Sequence, residues 1–229
     1  MAIKGLDISS QTDKIDINKI KENNIEFIML RAGFTDYNKG KTRNTDTDFE
    51  ENYKLAKKYK LNMGVYYESR AVTIEEAKEE IDYFLNIIKS KVFEYPVVLQ
   101  FEDDHNTIIY YPQSQKNIDK NDLLNITIFM INEIESKGYQ TLVRTYENWY
   151  EDKFEKSNIF NYWIDNLEII NSKYSFYSNK DDIVYYNISD LSKNKDKVQI
   201  IVKENCLFQK IKSYIKAGYK ILKSKIGRD

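Results

Sequence analysis

Asp7 and Glu102 each close a short apolar run, Ile3-Lys4-Gly5-Leu6-Asp7 in one case and Tyr95-Pro96-Val97-Val98-Leu99-Gln100-Phe101-Glu102 in the other. A carboxylate at the C-terminal end of a buried parallel strand points into the mouth of an α/β barrel, where rigid backbone fixes its aim and loops can surround a substrate. Two such groups from different strands can supply acid, base or electrostatic support for cleaving a glycosidic bond. For either residue alone, capping a following turn is an equally good reading, since Asp is a frequent cap.

The elements that must carry these groups alternate along the chain. Residues 16–24 read as a short helix and 26–33 as a buried strand stopped by Gly33. Asp48 stands where it can cap a helix over 49–60, in which Phe49, Tyr53 and Ala56 share a face. A strand over 63–69 follows. Thr73 and Glu76 then have capping-box spacing before a helix to about residue 90, with Ala77, Ile81, Phe84 and Ile88 as its apolar stripe.

The next strand carries Glu102. The polar stretch 104–120 behind it is long enough to be an active-site loop, with a disordered insert as the other reading. A helix over 122–137 ends at Gly138, and 141–146 is a fifth strand. Beyond it, 161–167, 174–178, 182–188 and 198–202 read as strands with little helix between them. The expected class is α/β, an irregular barrel whose C-terminal half is β-rich.

Composition narrows the function. A chain of 229 residues can bury one large core. Its formal net charge of -1 gives no global preference for nucleic acid or acidic lipid. Cys206, the lone cysteine, forms no internal disulfide and reads as a small semi-apolar residue. No secretory signal stands out, and no apolar run approaches the roughly 18 residues of a membrane span. Synthesis in the cytoplasm is therefore the expectation.

The boundary falls after residue 202. From there to 229, Phe208, Ile211, Ile215, Leu222 and Ile226 recur at helical spacing among Lys210, Lys212, Lys216, Lys220, Lys223 and Lys225. Such a basic amphipathic helix can rest on an anionic membrane or cell-wall polymer; docking on its own domain is the commoner use.

Aromatic side chains at strand positions, Tyr66, Tyr67, Tyr146 and Trp163, could stack on sugar rings or pack in the core. Strand alternation lets only one of Tyr66 and Tyr67 face a groove. His105 has no second histidine or cysteine nearby, so a zinc site is not expected, and no cofactor is implied.

The order of Gly5-Leu6-Asp7-Ile8-Ser9-Ser10, Leu30-Arg31-Ala32-Gly33, Asp48-Phe49-Glu50-Glu51-Asn52-Tyr53, Gly64-Val65-Tyr66-Tyr67 and Tyr95-Pro96-Val97-Val98-Leu99 resembles glycoside hydrolase family 25 lysozymes. The resemblance runs from about Ile3 to Trp163. It implies a flattened, TIM-like β/α barrel that hydrolyses the β-1,4 bond after N-acetylmuramic acid in peptidoglycan glycan strands, without metal or organic cofactor. Action at the bacterial cell wall, after release by a non-classical or lytic route, follows from that substrate. Asp7 matches the family's first-strand catalytic aspartate, and Glu102 the glutamate of its Asp-x-Glu motif, the general acid. Gln100, Arg31, Tyr66, Tyr67, Asp103, Arg144, Tyr146 and Trp163 stand where they could bind substrate.

Several positions depart from the family. Its Asp of Asp-x-Glu is Gln100 here, which can still donate and accept hydrogen bonds but cannot balance a developing positive charge. Removing one such group typically slows an enzyme by on the order of 10² to 10³. The family's fifth-strand tyrosine aligns with Arg144, and its Trp-Gln-Tyr with Val184-Tyr185-Tyr186; Asp190 is a loose match for its late Asp-x-Asn. Arg144 could pair with Glu102 and hold it ionised, or bind a peptide-stem carboxylate. Two functions therefore remain open: a muramidase, slowed by these changes, or an inactive barrel that binds wall glycan or serves structurally in a phage tail or secretion apparatus.

Overall fold

The strand signals come together in one mainly parallel, curled sheet. The computed structural model describes residues 2–12, 15–36, 41–102, 114–155, 159–165, 176–178 and 183–187. The first half comprises β1 (Ala2–Ile8), α1 (Ile17–Glu22), β2 (Phe27–Thr35), β3 (Arg43–Thr45), α2 (Phe49–Tyr59), β4 (Asn62–Ser69) and α3 (Ile74–Ile88). The rest comprises β5 (Val97–Phe101), α4 (Lys120–Glu135), β6 (Thr141–Tyr146), α5 (Glu147–Asp152), β7 (Tyr162–Asp165), β8 (Phe176–Ser178) and β9 (Ile183–Asn187).

Each parallel pairing needs a crossover, and a helix stands between the partners from β1 through β7. β8 continues the parallel run beside β7, whereas β9 lies antiparallel to β8 and to β1. Because β1 also pairs in parallel with β2, it joins both ends of the succession.

Alternation gives the sheet two cores. Ile28, Leu30, Val65, Tyr67, Val97, Leu99, Val143 and Ile164 face Phe49, Ala77, Phe84 and Leu123 of the helices. Burying a side chain such as Phe84 contributes about 1.5–3 kcal/mol. On the opposite face Phe27, Met29, Tyr66, Val98, Leu142 and Trp163 form a second cluster made of strand residues. Continuing those rows by two residues toward the strand C-termini turns the second face from apolar to charged, and there the candidate site lies.

Three local features differ from expectation. Asp48 makes no side-chain cap on α2. Asp46 organises that turn instead, its Oδ1 accepting from the Asp48 backbone N–H at 3.0 Å and its carbonyl from the Phe49 N–H at 3.1 Å. β3 was not expected; it pairs antiparallel with the end of β2, where a Cβ on Gly33 would lie 2.4 Å from the Asn44 carbonyl oxygen. α5 is a further unexpected element. The Thr73 cap is present, its hydroxyl accepting from the Glu76 N–H at 3.2 Å.

The strand expected over 198–202, the basic helix over 203–229, most of the 104–120 stretch, and Asp103, His105, Asp190 and Cys206 lie outside the described residues. Among the described residues no helix is long and apolar enough to cross a membrane.

Candidate active site

Two alternating rows of charge occupy the C-terminal end of the sheet face opposite the described helices. In the first, Arg144 of β6 lies between two carboxylates, its Nη2 2.6 Å from Asp7 Oδ2 on β1 and its Nε 2.7 Å from Asp165 Oδ2 on β7. The guanidinium also lies over two rings, 3.9 Å from the Trp163 centroid and 4.7 Å from that of Tyr66. Cation–π attraction in such a desolvated place adds to the ion pairs.

The second row runs Asp46, Arg31, Glu68, Arg70, Glu102. Arg31 Nε is 2.8 Å from Asp46 Oδ2, and its Nη1 is 2.9 Å from Glu68 Oε1. Arg70 Nη2 then stands 3.6 Å from Glu68 Oε2 and 3.7 Å from Glu102 Oε1. Asp46 also accepts from the Ser10 backbone N–H at 3.0 Å and from the Ser10 hydroxyl, which fixes the turn just after Asp7.

Exposure separates the carboxylates. The Glu102 side chain is 18% exposed and that of Glu68 15%, against 8% for Asp7 and 7% for Asp165. Glu102 is thus the better placed to meet a substrate. Burial pushes its carboxyl above the ordinary value; Arg70 opposes this, Glu68 reinforces it, and Arg144 and the Gln100 amide pull weakly downward. A carboxyl shifted in this direction suits a proton donor. Tyr146 hydrogen-bonds Glu102 from β6.

Asp7 is raised too, by burial first, with Arg144 pulling down and Asp165 adding to the push. Burial alone would lower Arg144, but Asp165 and Asp7 more than offset it, so the guanidinium stays charged. Asp7 Oδ1, Gln100 Oε1 and Arg144 Nη1 are buried and have no hydrogen-bond partner among the described residues. Each such buried atom left unsatisfied costs about 1–3 kcal/mol.

Of the residues expected at the site, Asp7, Gln100, Glu102, Arg31, Tyr66, Arg144, Tyr146 and Trp163 share this face. Tyr67 does not. Its ring stacks on Phe84 at 5.2 Å and its hydroxyl hydrogen-bonds Thr35 at 2.8 Å, because the residue after Tyr66 must point to the helices. Trp163 is fully buried beneath Arg144 rather than open to a groove. Arg31 places Nε and Nη1 on Asp46 and Glu68, with Gln11 and Ser10 also in reach, so its fork is committed to the protein. Arg144, which could have paired with Glu102 or bound a peptide-stem carboxylate, makes its described ion pairs with Asp7 and Asp165.

Four residues escaped the sequence reading: Asp46, Glu68, Arg70 and Asp165. Alternation alone could have found three, since Glu68 and Arg70 follow Tyr66 by two and four, and Asp165 follows Trp163 by two. Among the described residues no group of three or more His, Cys, Asp or Glu is arranged to hold a metal ion.

A curled parallel sheet with carboxylates at its C-terminal edge is an architecture of barrel hydrolases. The chain belongs to the Glycosyl hydrolases family 25, whose sequence pattern matches residues 6–194. It is 27% identical over 155 residues to the autolytic lysozyme of Clostridium acetobutylicum, a match covering 68% of this chain and 42% of that one. The chain thus spans less than half the length of that relative.

Solved structures agree on the fold. The modular autolysin LytC from Streptococcus pneumoniae, in complex with a synthetic peptidoglycan ligand, superposes with a TM-score of 0.66 at 20% identity, over 81% of this chain and 47% of that one. A family GH25 lysozyme from Aspergillus fumigatus gives 0.62 at 17% identity, over 84% of this chain and 98% of that one.

Proposed function

We propose that the chain is a muramidase that hydrolyses the β-1,4 bond after N-acetylmuramic acid in peptidoglycan at the bacterial cell wall. Glu102 is the proton donor and Asp7 its electrostatic partner. The observation that carries this is the site itself: Glu102 is the most exposed of the carboxylates in the two charge rows, at a strand end, with its carboxyl pushed upward by burial. Membership of the family supports it.

In this reading Glu102 protonates the leaving glycosidic oxygen as positive charge grows at the anomeric carbon. Asp7 and Asp165 together outnumber Arg144 by one charge, so that end of the face is negative overall and favours the developing cation. Gln100 lies buried beside the proton donor, its side chain hydrogen-bonded to Glu102. Tyr146, half-buried at the strand end, contributes its hydroxyl to the sugar site, whereas Tyr66 lies buried beneath Arg144. The framework is an irregular, flattened TIM-like barrel whose C-terminal half is β-rich, a reading supported by β1 pairing with both β2 and β9.

A second reading is a glycan-binding barrel without hydrolysis, favoured by one observation: Arg144 occupies Asp7 Oδ2 at 2.6 Å. Incubation with peptidoglycan from several Gram-positive walls separates the two. New reducing ends, absent with Glu102→Gln, support the hydrolase; retention on the wall with no release above that variant supports the binder.

A further inference from the structure

We infer that Glu68 is a positioning residue for Glu102: by sharing the Arg70 guanidinium, it keeps that cation from pairing fully with the proton donor. The inference rests on the reading of Glu102 as the acid. An arginine beside a general acid is a hazard, since an undivided ion pair would hold the carboxyl ionised and leave no proton to give. Here Arg70 Nη2 stands nearly midway, 3.6 Å from Glu68 and 3.7 Å from Glu102, too far from either for a full hydrogen bond.

Both ends of that arrangement are anchored. Glu68 Oε1 is fixed by Arg31 Nη1 at 2.9 Å, and Arg31 in turn by the buried Asp46 at 2.8 Å, so Glu68 Oε2 is held toward Arg70. Arg70 is tethered at its backbone, where its N–H donates to Glu80 Oε1 at 3.0 Å, and at Nη1, which donates to the Ser69 carbonyl at 2.9 Å. The guanidinium therefore divides its charge between Glu68 on β4 and Glu102 just after β5.

Around Glu102 the described charged and titratable groups are Glu68 on β4, Arg70 just after it, and Arg144 and Tyr146 on β6. Glu68 raises the Glu102 carboxyl and Arg70 lowers it, in agreement with this geometry.

The test follows the Glu102 carboxyl by carbon-13 NMR titration, beside the pH profile of wall hydrolysis, in the full chain. Glu68→Gln frees Arg70 for Glu102, so the titration and the basic limb of the profile move to lower pH by about one unit. Arg70→Met moves both to higher pH. Glu68→Asp, which retracts the carboxylate while keeping its charge, gives a smaller downward move and serves if Glu68→Gln does not fold. A merely structural role would lower activity without moving the two variants in opposite directions.

Titrations that stay where they were, or move the same way in both variants, overturn the inference. Opposite shifts in a protein that releases no reducing ends uphold the charge sharing and sink only the hydrolase.

Discussion

Arg144 and Asp7, on strands that do not pair with each other, are joined by a 2.6 Å ion pair that Asp165 extends from β7. Removing the cation strands two buried carboxylates, so Arg144→Met destabilises the fold by about 3–5 kcal/mol at pH 7. Urea unfolding at pH 7 and pH 4 checks this. The loss shrinks at the lower pH, where Asp7, its carboxyl raised by burial, takes up a proton, and Arg144→Met combined with Asp165→Asn recovers part of it. An equal loss at both pH values would contradict the pairing.

Gln100→Asp places a carboxylate beside Glu102 and removes the amide that hydrogen-bonds it. A like charge disfavours ionisation, so Glu102 stays protonated to higher pH and the basic limb of wall hydrolysis moves upward. Restored charge also raises the rate by on the order of 10². Reducing-end release across pH 4–9 measures both, and an unchanged or slower variant contradicts the role given to position 100.

Glu80 lies buried in α3, its Oε2 accepting from Ser69 at 2.6 Å and its Oε1 from the Arg70 N–H. Burial raises its carboxyl above the ordinary 4.5. The native state thus holds this proton more tightly than the unfolded chain. Its contribution is largest below pH 4.5 and is lost as pH rises through the raised value. The stability of the wild type relative to Glu80→Gln should therefore fall as pH rises from 4.5 toward neutrality. A flat difference in denaturant midpoints would contradict it.

Thr73→Ala removes the hydroxyl that caps α3 and costs about 1 kcal/mol. For a chain of this size that lowers Tm by roughly 2–4 °C, measurable by circular dichroism. An unchanged Tm would contradict the cap.

Much of the positioning was legible because it depends on periodicity. The apolar runs ending at Asp7 and Glu102 are strands, and alternation from Tyr66 puts that residue on the site face and Tyr67 against Phe84. What escaped depends on register between distant strands. Arg144 lies opposite Trp163 across β6 and β7, which brings Asp165 within reach of its Nε, and no local signal specifies that offset. β3 spans three residues and α5 six, too short to show a period. Asp46 displaced Asp48 because its buried carboxylate also serves Arg31 and Ser10 from a distance in sequence.

Mass spectrometry of borohydride-reduced fragments released from purified peptidoglycan tests the central claim most directly. Muramitol at the new ends, formed by the wild type and lost with Glu102→Gln, is the predicted result. Glucosaminitol ends, or soluble fragments no more abundant than with that variant, would contradict it.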